Sequence, residues 1–285
     1  MEWLTEHKIP LGSWISAGVD LLNEHAWWIF DFISMVLGTS IESLIWAMKA
    51  CPPLLLIALF GALAWLLHRS WQLTVLVVLS FLLIANLGYW NETIETLALV
   101  VFATVVCLII GIPLGIIAAH RPWVMAVLRP ILDLMQTIPT FVYLIPTLIL
   151  FGLGVVPGLI STVIFALPAP IRLTQLGISS VPKHLLEAGE SFGATRWQRL
   201  VKVELPSAAP QIMAGLTQCI MLSLSMVVIA ALVGADGLGK PVVRALNQVN
   251  VARGFEAGLA IVLVAIVLDR LCKRPEPRPR AGDKR

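Results

Sequence analysis

The feature that most constrains the fold is the uncharged run between Asp133 and Arg172, because residues 134–171 contain no Asp, Glu, Lys or Arg. A helix needs about 20 mainly apolar residues to cross the hydrocarbon core of a membrane. The run is therefore too long for one crossing, and the glycines and proline of FGLGVVPG at 151–158 favour a turn in its middle. The sequence predicts two membrane spans joined by this turn.

Composition extends that conclusion to the whole chain. Of its 285 residues, 58% are hydrophobic and 13% are charged, whereas soluble domains carry about 25% charged residues. We expect an all-α polytopic membrane protein with an N-terminal amphipathic helix and seven transmembrane helices. The seven apolar segments are 51–67, 71–89, 96–119, 134–153, 155–174, 208–233 and 254–271.

The basic residues predict the orientation of these spans. Lys and Arg concentrate on the cytoplasmic side of membrane proteins. An N-terminus outside and a C-terminus inside place fifteen of the 20 Lys and Arg in the cytoplasm, seven of them in or beside the basic tail 273–285. The inverted topology would leave those fifteen on the wrong face, so the sequence favours N-out, C-in.

The N-terminal segment 1–50 has a different pattern. Its apolar residues, from Trp27 to Ile45, recur at helical spacing, with Asp31 and Glu42 among them. This pattern favours an amphipathic helix on the outer surface, docked on lipid or on the bundle. An additional transmembrane helix is the alternative.

A polar, largely basic island at 187–206, EAGESFGATRWQRLVKVELP, interrupts the apolar chain between the fifth and sixth spans. Gly193 is suited to end a first short helix, Thr195 to cap a second, and Pro206 to open the sixth span. Helical spacing places Trp197 on one stripe with Leu200, Val201 and Glu204. A short loop cannot bury this surface alone, so the pattern indicates either a docking site for a cytoplasmic partner or a loop resting on lipid headgroups.

The island resembles the EAA loop of permease subunits of ATP-binding-cassette importers. It has Glu187-Ala188-Gly189, three residues, Gly193, nine residues, and then Val203-Glu204-Leu205-Pro206. Gly189 stands where the family usually has a second Ala, and Val203 where it has Ile. The wider pattern is similar to permeases for glycine betaine, choline and proline betaine. It implies two accessory spans in 51–90, a five-helix type I permease core in 91–272, and a coupling loop at 180–206.

In that family the loop seats in a groove of a separate ATPase, so the resemblance implies a permease subunit that forms the translocation pathway of an ATP-driven importer. ATP and Mg²⁺ would be bound by the ATPase, and no cofactor, metal or nucleic acid is expected on this chain, which we expect not to be an enzyme. The implied location is the bacterial cytoplasmic (inner) membrane. The residues that the resemblance assigns to ATPase coupling are Glu187, Ala188, Gly189, Gly193, Arg196, Leu205 and Pro206.

The expected partners follow from the single coupling loop. Alternating access needs two halves that move against each other, and the sequence contains one such loop without an internal repeat. We expect a permease homodimer above two ATPase copies, with a heterodimer of related permeases as the alternative. An extracytoplasmic substrate-binding protein is also implied, and the outer stretch 234–255 is its expected landing area.

The substrate pathway is less well defined by the sequence. Two spans carry polar groups that either line the pathway or form ordinary bonds between helices: Gln136, Thr137, Thr140, Tyr143, Gln218, Ser223 and Ser225. A self-sufficient secondary carrier or channel is the alternative function. It is disfavoured because an acidic residue well inside the bilayer, which coupled carriers often use, is not found in the predicted spans.

Overall fold

A computed structural model describes residues 10–273, and within that part the chain is helical, without strands. The predicted tail, apart from Lys273, lies outside the described residues. We number the α-helices in chain order: α1 Leu11–Ala50, α2 Pro53–His68, α3 Trp71–Asn86, α4 Trp90–His120, α5 Pro122–Thr137, α6 Thr140–Phe151, α7 Val155–Ala166, α8 Pro168–Ser179, α9 Lys183–Ser191, α10 Arg196–Arg199, α11 Leu205–Ala230, α12 Gly239–Asn247 and α13 Val251–Cys272. A π-turn at Leu200–Glu204 joins α10 to α11, and a 3₁₀ turn at Ala231–Val233 ends α11.

The centre of the bundle is formed by α4, α8 and α11, which pack on one another. Glycines make this close approach possible, as small residues do between membrane helices. A Cβ added at Gly115 of α4 would lie 2.7 Å from the backbone oxygen of Ile171 in α8, and one at Gly215 of α11 would lie 3.3 Å from Pro170 Cα. The core therefore depends on backbone contact as well as on apolar side chains.

Five helical stretches are long and apolar enough to cross a membrane: Gly12–Ala50, Trp90–His120, Val155–Ser179, Arg196–Val233 and Val251–Cys272. Each of the last four contains one predicted span, and α2 and α3 coincide with the first two predictions. At 16 residues each, α2 and α3 are about 24 Å long, somewhat short of the hydrocarbon thickness. The total of seven spans and their orientation stay predictions.

The predicted continuous span at 134–153 is wrong in one respect. The chain bends by 97° between α5, which ends at Thr137, and α6, which begins at Thr140. Pro139 explains the bend, because the residue before a proline is driven out of the helical region, and Ile138 is extended there with ψ 131°. The fourth predicted span is therefore divided into two helices at an angle, as in a broken span or a re-entrant loop.

The N-terminal helix α1 is a single element of 40 residues that packs along α4 and α6. Its second half contacts the bundle: Ile41 is fully buried, the rings of Phe30 and Phe151 meet edge to face at 5.4 Å, and Lys49 Nζ lies 2.5 Å from Glu95 Oε1. Most of its first half is exposed and apolar. Because α1 meets the length and hydropathy of a span, both the surface helix and the additional span are compatible with its structure.

The two ends of the bundle differ in the segments that lie there. The coupling loop meets the C-terminal end of α4, where His120 lies 2.8 Å from Glu204. At the opposite end the glycine-rich turn before α12 is tied down by two hydrogen bonds: Leu238 N donates to Thr96 Oγ1 at 2.8 Å, and Gly154 N donates to Val233 O at 2.9 Å. A cleft of about 400 Å³ at this opposite end is bordered by Arg244 and Arg253.

Candidate functional site

The first half of the coupling loop is α9, and its end follows the sequence prediction. Gly193 has φ +73°, a conformation that glycine adopts without cost. Two hydrogen bonds close the helix end: Gly193 N donates to Glu190 O at 2.9 Å, and Ala194 N donates to Gly189 O at 3.0 Å. This is the Schellman arrangement, which satisfies carbonyls that the helix end would leave free. Gly193 thus turns the chain sharply after α9.

The second half begins immediately with a capping box at Thr195. Gln198 N donates to Thr195 Oγ1 at 3.3 Å, while Thr195 N donates to Gln198 Oε1 at 2.8 Å. Both ends of the bend at 192–195 are therefore fixed by local hydrogen bonds. The two-piece loop predicted from Gly193 and Thr195 is present in the structure.

The predicted single stripe on the second piece is wrong. The α-helical periodicity placed Glu204 beside Trp197, yet Trp197 is 71% exposed and Glu204 is 3% exposed. The cause is the π-turn at Leu200–Glu204, where Leu205 N donates to Leu200 O five residues earlier. A π-turn inserts one residue into the helical repeat, so residues beyond it face a different direction.

The π-turn also joins the loop to the sixth predicted span, which Pro206 opens as expected. Proline lacks a backbone N–H and normally opens a helix, and Pro206 does lie in the first turn of α11. The helical path is nevertheless continuous from Arg196 to Val233. The second half of the loop is therefore a rigid extension of the sixth predicted span.

Within the loop, the assigned coupling residues lie mainly on the surface. Glu187, Ala188, Arg196 and Pro206 are exposed, whereas Gly189 faces Val203 of the π-turn and Leu205 is half-buried. The largest apolar groups beside them are Phe192, 93% exposed, and Trp197. Such an exposed aromatic pair on a tightly capped bend has the character of an interaction surface.

Charged groups hold the two halves of the loop together. Arg199 donates to Glu190 Oε1 of α9 through Nη1, and to Glu204 Oε1 through Nε at 3.0 Å. The second oxygen of Glu204 lies 2.8 Å from His120 Nε2 at the end of α4. The loop is thus connected to the bundle by a chain of side-chain contacts, Glu190–Arg199–Glu204–His120, as well as by its backbone.

The chain matches the family of binding-protein-dependent transport system inner membrane components over residues 111–281. It belongs to that family. The glycine betaine transport system permease protein OpuAB of Bacillus subtilis (strain 168) is 46% identical over 93% of this chain and 93% of its own length. The glycine betaine/proline betaine transport system permease protein ProW of Escherichia coli (strain K12) is 43% identical over 93% of this chain and 75% of its own.

A solved structure agrees with the fold of this permease. The chain is similar to a structure described as inward facing conformations of the MetNI methionine ABC transporter, with a TM-score of 0.55 and 23% identity. The match covers 63% of this chain and 94% of the other. The family, the relatives and the apolar helices together show a multi-pass permease of the bacterial cytoplasmic membrane.

The predicted pathway residues of the fourth span lie around the bend between α5 and α6. Tyr143 turns its hydroxyl back to the end of α5 and donates to Met135 O at 2.5 Å and to Leu134 O at 3.2 Å. Thr137 Oγ1 also reaches Leu134 O, at 3.4 Å. Gln136 and Thr140 are half-buried nearby. Tyr143 therefore holds the broken helix in shape, which is a structural reason for a tyrosine at that position.

The predicted pathway residues of the sixth span do not form one group in the permease. Gln218 is exposed and borders a cleft that also contains His68 and Arg270. Ser223 is fully buried, whereas Ser225 is exposed and donates to Met221 O at 3.0 Å in its own helix. The structure therefore does not bring Gln218, Ser223 and Ser225 to one surface with the residues of the bend.

One pair near the bend was missed from the sequence. Arg172 Nη2 donates to Asp133 Oδ1 at 2.6 Å, so the two charges that bound the uncharged run meet each other. The intervening hairpin of α6 and α7 leaves this point and returns to it. A separation of 39 residues hides such a pair from helical spacing, although the run itself suggested that its ends return to one membrane face.

Other features of the permease add no chemical site in the part of the chain that the structure describes. No group of three or more His, Cys, Asp or Glu with the geometry of a metal site occurs between residues 10 and 273. Cys107 and Cys219 are buried among apolar groups, and Cys51 and Cys272 are half-buried. The arrangement that stands out in this range is the coupling loop and its ion pairs.

Proposed function

We propose that this chain is the membrane-spanning subunit of an ATP-driven importer for quaternary ammonium compounds, with glycine betaine or choline as substrate. The proposed substrate class is supported by a relative named for glycine betaine transport, which is 46% identical to this chain over 93% of both chains. A second relative, at 43%, is named for glycine betaine and proline betaine. The substrates in these names share a quaternary ammonium group, which defines the proposed class.

Coupling to the ATPase is proposed to occur through the loop at 180–206. Phe192 and Trp197 give that loop an exposed aromatic surface, and Gly193 and Thr195 fix its shape. A preformed apolar surface binds a groove with a small loss of conformational entropy. Glu187, Ala188 and Arg196, exposed beside it, are proposed to contact the same groove, and Leu205 and Pro206 to join the contact to α11.

The proposed assembly contains two copies of this chain and two ATPase subunits, with the coupling loop in the cytoplasm. The concentration of basic residues at the loop end supports this orientation. A cysteine introduced at Ser191 should react with an impermeant thiol reagent only after the membrane is opened. Reaction in intact cells would contradict the orientation.

The cleft at the opposite end is proposed as the landing area of the substrate-binding protein. Lys240 pairs with Asp236, while Arg244 and Arg253 border the cleft beside Glu92. Mixed charges of this kind steer association and fix register more than they add affinity.

Replacing Arg244 by Glu is expected to reduce the stimulation of ATP hydrolysis by the binding protein about tenfold, through weaker association. The exposed Arg69 provides a charge-matched control as Arg69→Glu, because it lies beside His68, which contacts Leu271 O at the far end of α13. Unchanged stimulation with Arg244→Glu would remove this surface from the docking proposal.

Uptake by liposomes containing this permease, its ATPase and its binding protein tests the function itself. Radiolabelled glycine betaine or choline should accumulate only with ATP inside. Unlabelled glycine, which lacks the three methyl groups of glycine betaine, should not compete. Accumulation driven by a sodium or proton gradient without ATP would favour the secondary carrier instead.

A further inference from the structure

Glu204 is the only charged residue that is buried in residues 10–273. A buried carboxylate is costly unless it is paired and hydrogen-bonded. Glu204 has a basic neighbour at each oxygen: Arg199 Nε donates a hydrogen bond to Oε1 at 3.0 Å, and His120 Nε2 lies 2.8 Å from Oε2. These partners belong to different parts of the protein, because Arg199 lies in the loop and His120 ends α4.

The π-turn is what makes the first contact. Residues 199 and 204 are five apart, and in an α-helix their side chains would point about 140° away from each other. The wider turn at Leu200–Glu204 brings them to the same side. Since Arg199 also contacts Glu190, the guanidinium joins α9 to the buried carboxylate. The π-turn therefore has a physical role, because it keeps Arg199 in contact with both Glu190 and Glu204.

The second contact depends on the charge of His120. Its Nδ1 lies 2.9 Å from the carbonyl oxygen of Ile116, which only accepts hydrogen bonds, so Nδ1 carries a proton. An unprotonated Nε2 would then present a lone pair to the Glu204 carboxylate at 2.8 Å. Glu204 Oε2 receives no directed hydrogen bond from the ring, so the contact is chiefly electrostatic. The contact is an ion pair when the imidazole ring is protonated.

We propose that Glu204 is a positioning residue that locks the coupling loop to α4, so that movement of the loop by the ATPase is transmitted to the centre of the bundle. The proposal rests on the proposed function, because it takes the loop to be the ATPase contact. Phe192 and Trp197 are exposed, whereas Glu204 is buried, so the lock is separate from the docking surface. If Glu204 is replaced, α9 is still held by its packing on α10 and the π-turn. The side-chain contact between the loop and His120 at the end of α4 is then lost.

The experiment uses the complete importer in liposomes and measures three quantities: ATPase association, basal ATP hydrolysis, and hydrolysis stimulated by the liganded binding protein. Glu204→Gln keeps the size of the side chain but removes its charge. It should leave association unchanged and lower the stimulation about tenfold, within the usual range of coupling between sites. His120→Gln should do the same, while His120→Lys, which restores a positive charge, should recover most of the stimulation.

Asp269→Asn is the matched control, because Asp269 forms an ion pair with Lys273 at 2.8 Å on the same end of the bundle but on α13. Its stimulation should equal that of the unmodified protein. If Glu204→Gln does not fold, the comparison of His120→Gln with His120→Lys still tests the proposal. The His120 side chain is 38% exposed, so its replacement disturbs the packing less.

The proposal is overturned if the Gln variants keep full stimulation, if His120→Lys is as defective as His120→Gln, or if Glu204→Gln loses the ATPase altogether. The last result would make Glu204 part of the docking surface. Failure of the unmodified chain to bind any ATPase would instead contradict the proposed function.

Discussion

Replacing Gly193 by Val is expected to remove most of the ATPase association of this permease while leaving the membrane helices folded. Gly193 has φ +73°, where a residue with a side chain is strained by about 1–2 kcal/mol and a β-branched residue more. A Cβ at this position would meet no atom within 4 Å. The strain therefore acts on the bend alone, and 1–2 kcal/mol reduces the population of the docking conformation roughly 5–30-fold.

Co-purification of the ATPase with tagged variants measures this effect. Gly193→Asn is the matched control, since Asn tolerates the left-handed conformation far better than Val does, and it should retain most of the association. Circular dichroism and detergent thermal melts of the Val variant should match those of the unmodified protein. Association of Gly193→Val at full strength would show that the shape of the bend is not what the ATPase recognises.

Replacing Gly115 by Ala is expected to produce the second large effect, this time on folding. The added Cβ would lie 2.6 Å from Thr174 Cβ and 2.7 Å from the backbone oxygen of Ile171. A backbone oxygen cannot rotate away, so α4 and α8 would have to separate. Overpacking of this kind costs about 1–3 kcal/mol, occasionally more, and the midpoint of thermal unfolding should fall.

Gly258→Ala provides the control in another apolar helix, α13. No atom lies within 4 Å of the position its Cβ would occupy, and Ala is favoured over Gly in a helix by about 0.8–1.0 kcal/mol. Its unfolding midpoint should therefore stay the same or rise. Equal midpoints for the two variants would contradict the close packing of α4 on α8.

The parts of this structure that depend on local chemistry were predictable. Gly193 and Thr195 are residues whose backbone preferences end and begin helices, and both do so. The apolar segments also predicted the positions of α2, α3, α4, α11 and α13, because membrane helices must satisfy their own backbone hydrogen bonds. Pro139 contained the information for the 97° bend, but the uninterrupted hydrophobicity around it favoured a straight span.

The parts that depend on distant residues were not predictable from one sequence. The Asp133–Arg172 pair joins residues that are 39 apart in the sequence and separated by α6 and α7. The burial of Glu204 needs both the π-turn, which breaks the periodicity on which helical stripes are judged, and His120 from another helix. Glu204 was therefore placed on an exposed stripe. The polar residues of the sixth span were scattered for the same reason, since their directions depend on which helices surround α11.

Native mass spectrometry of the tagged protein, purified gently from its own membrane, tests the central claim most directly. The claim is that this chain is one half of a permease that draws its energy from a separate ATPase. The spectrum should contain a complex of two copies of this chain with two ATPase chains, and Gly193→Val should shift it to the permease without ATPase. A protein recovered alone, still folded and still transporting glycine betaine into liposomes without ATP, would contradict the account.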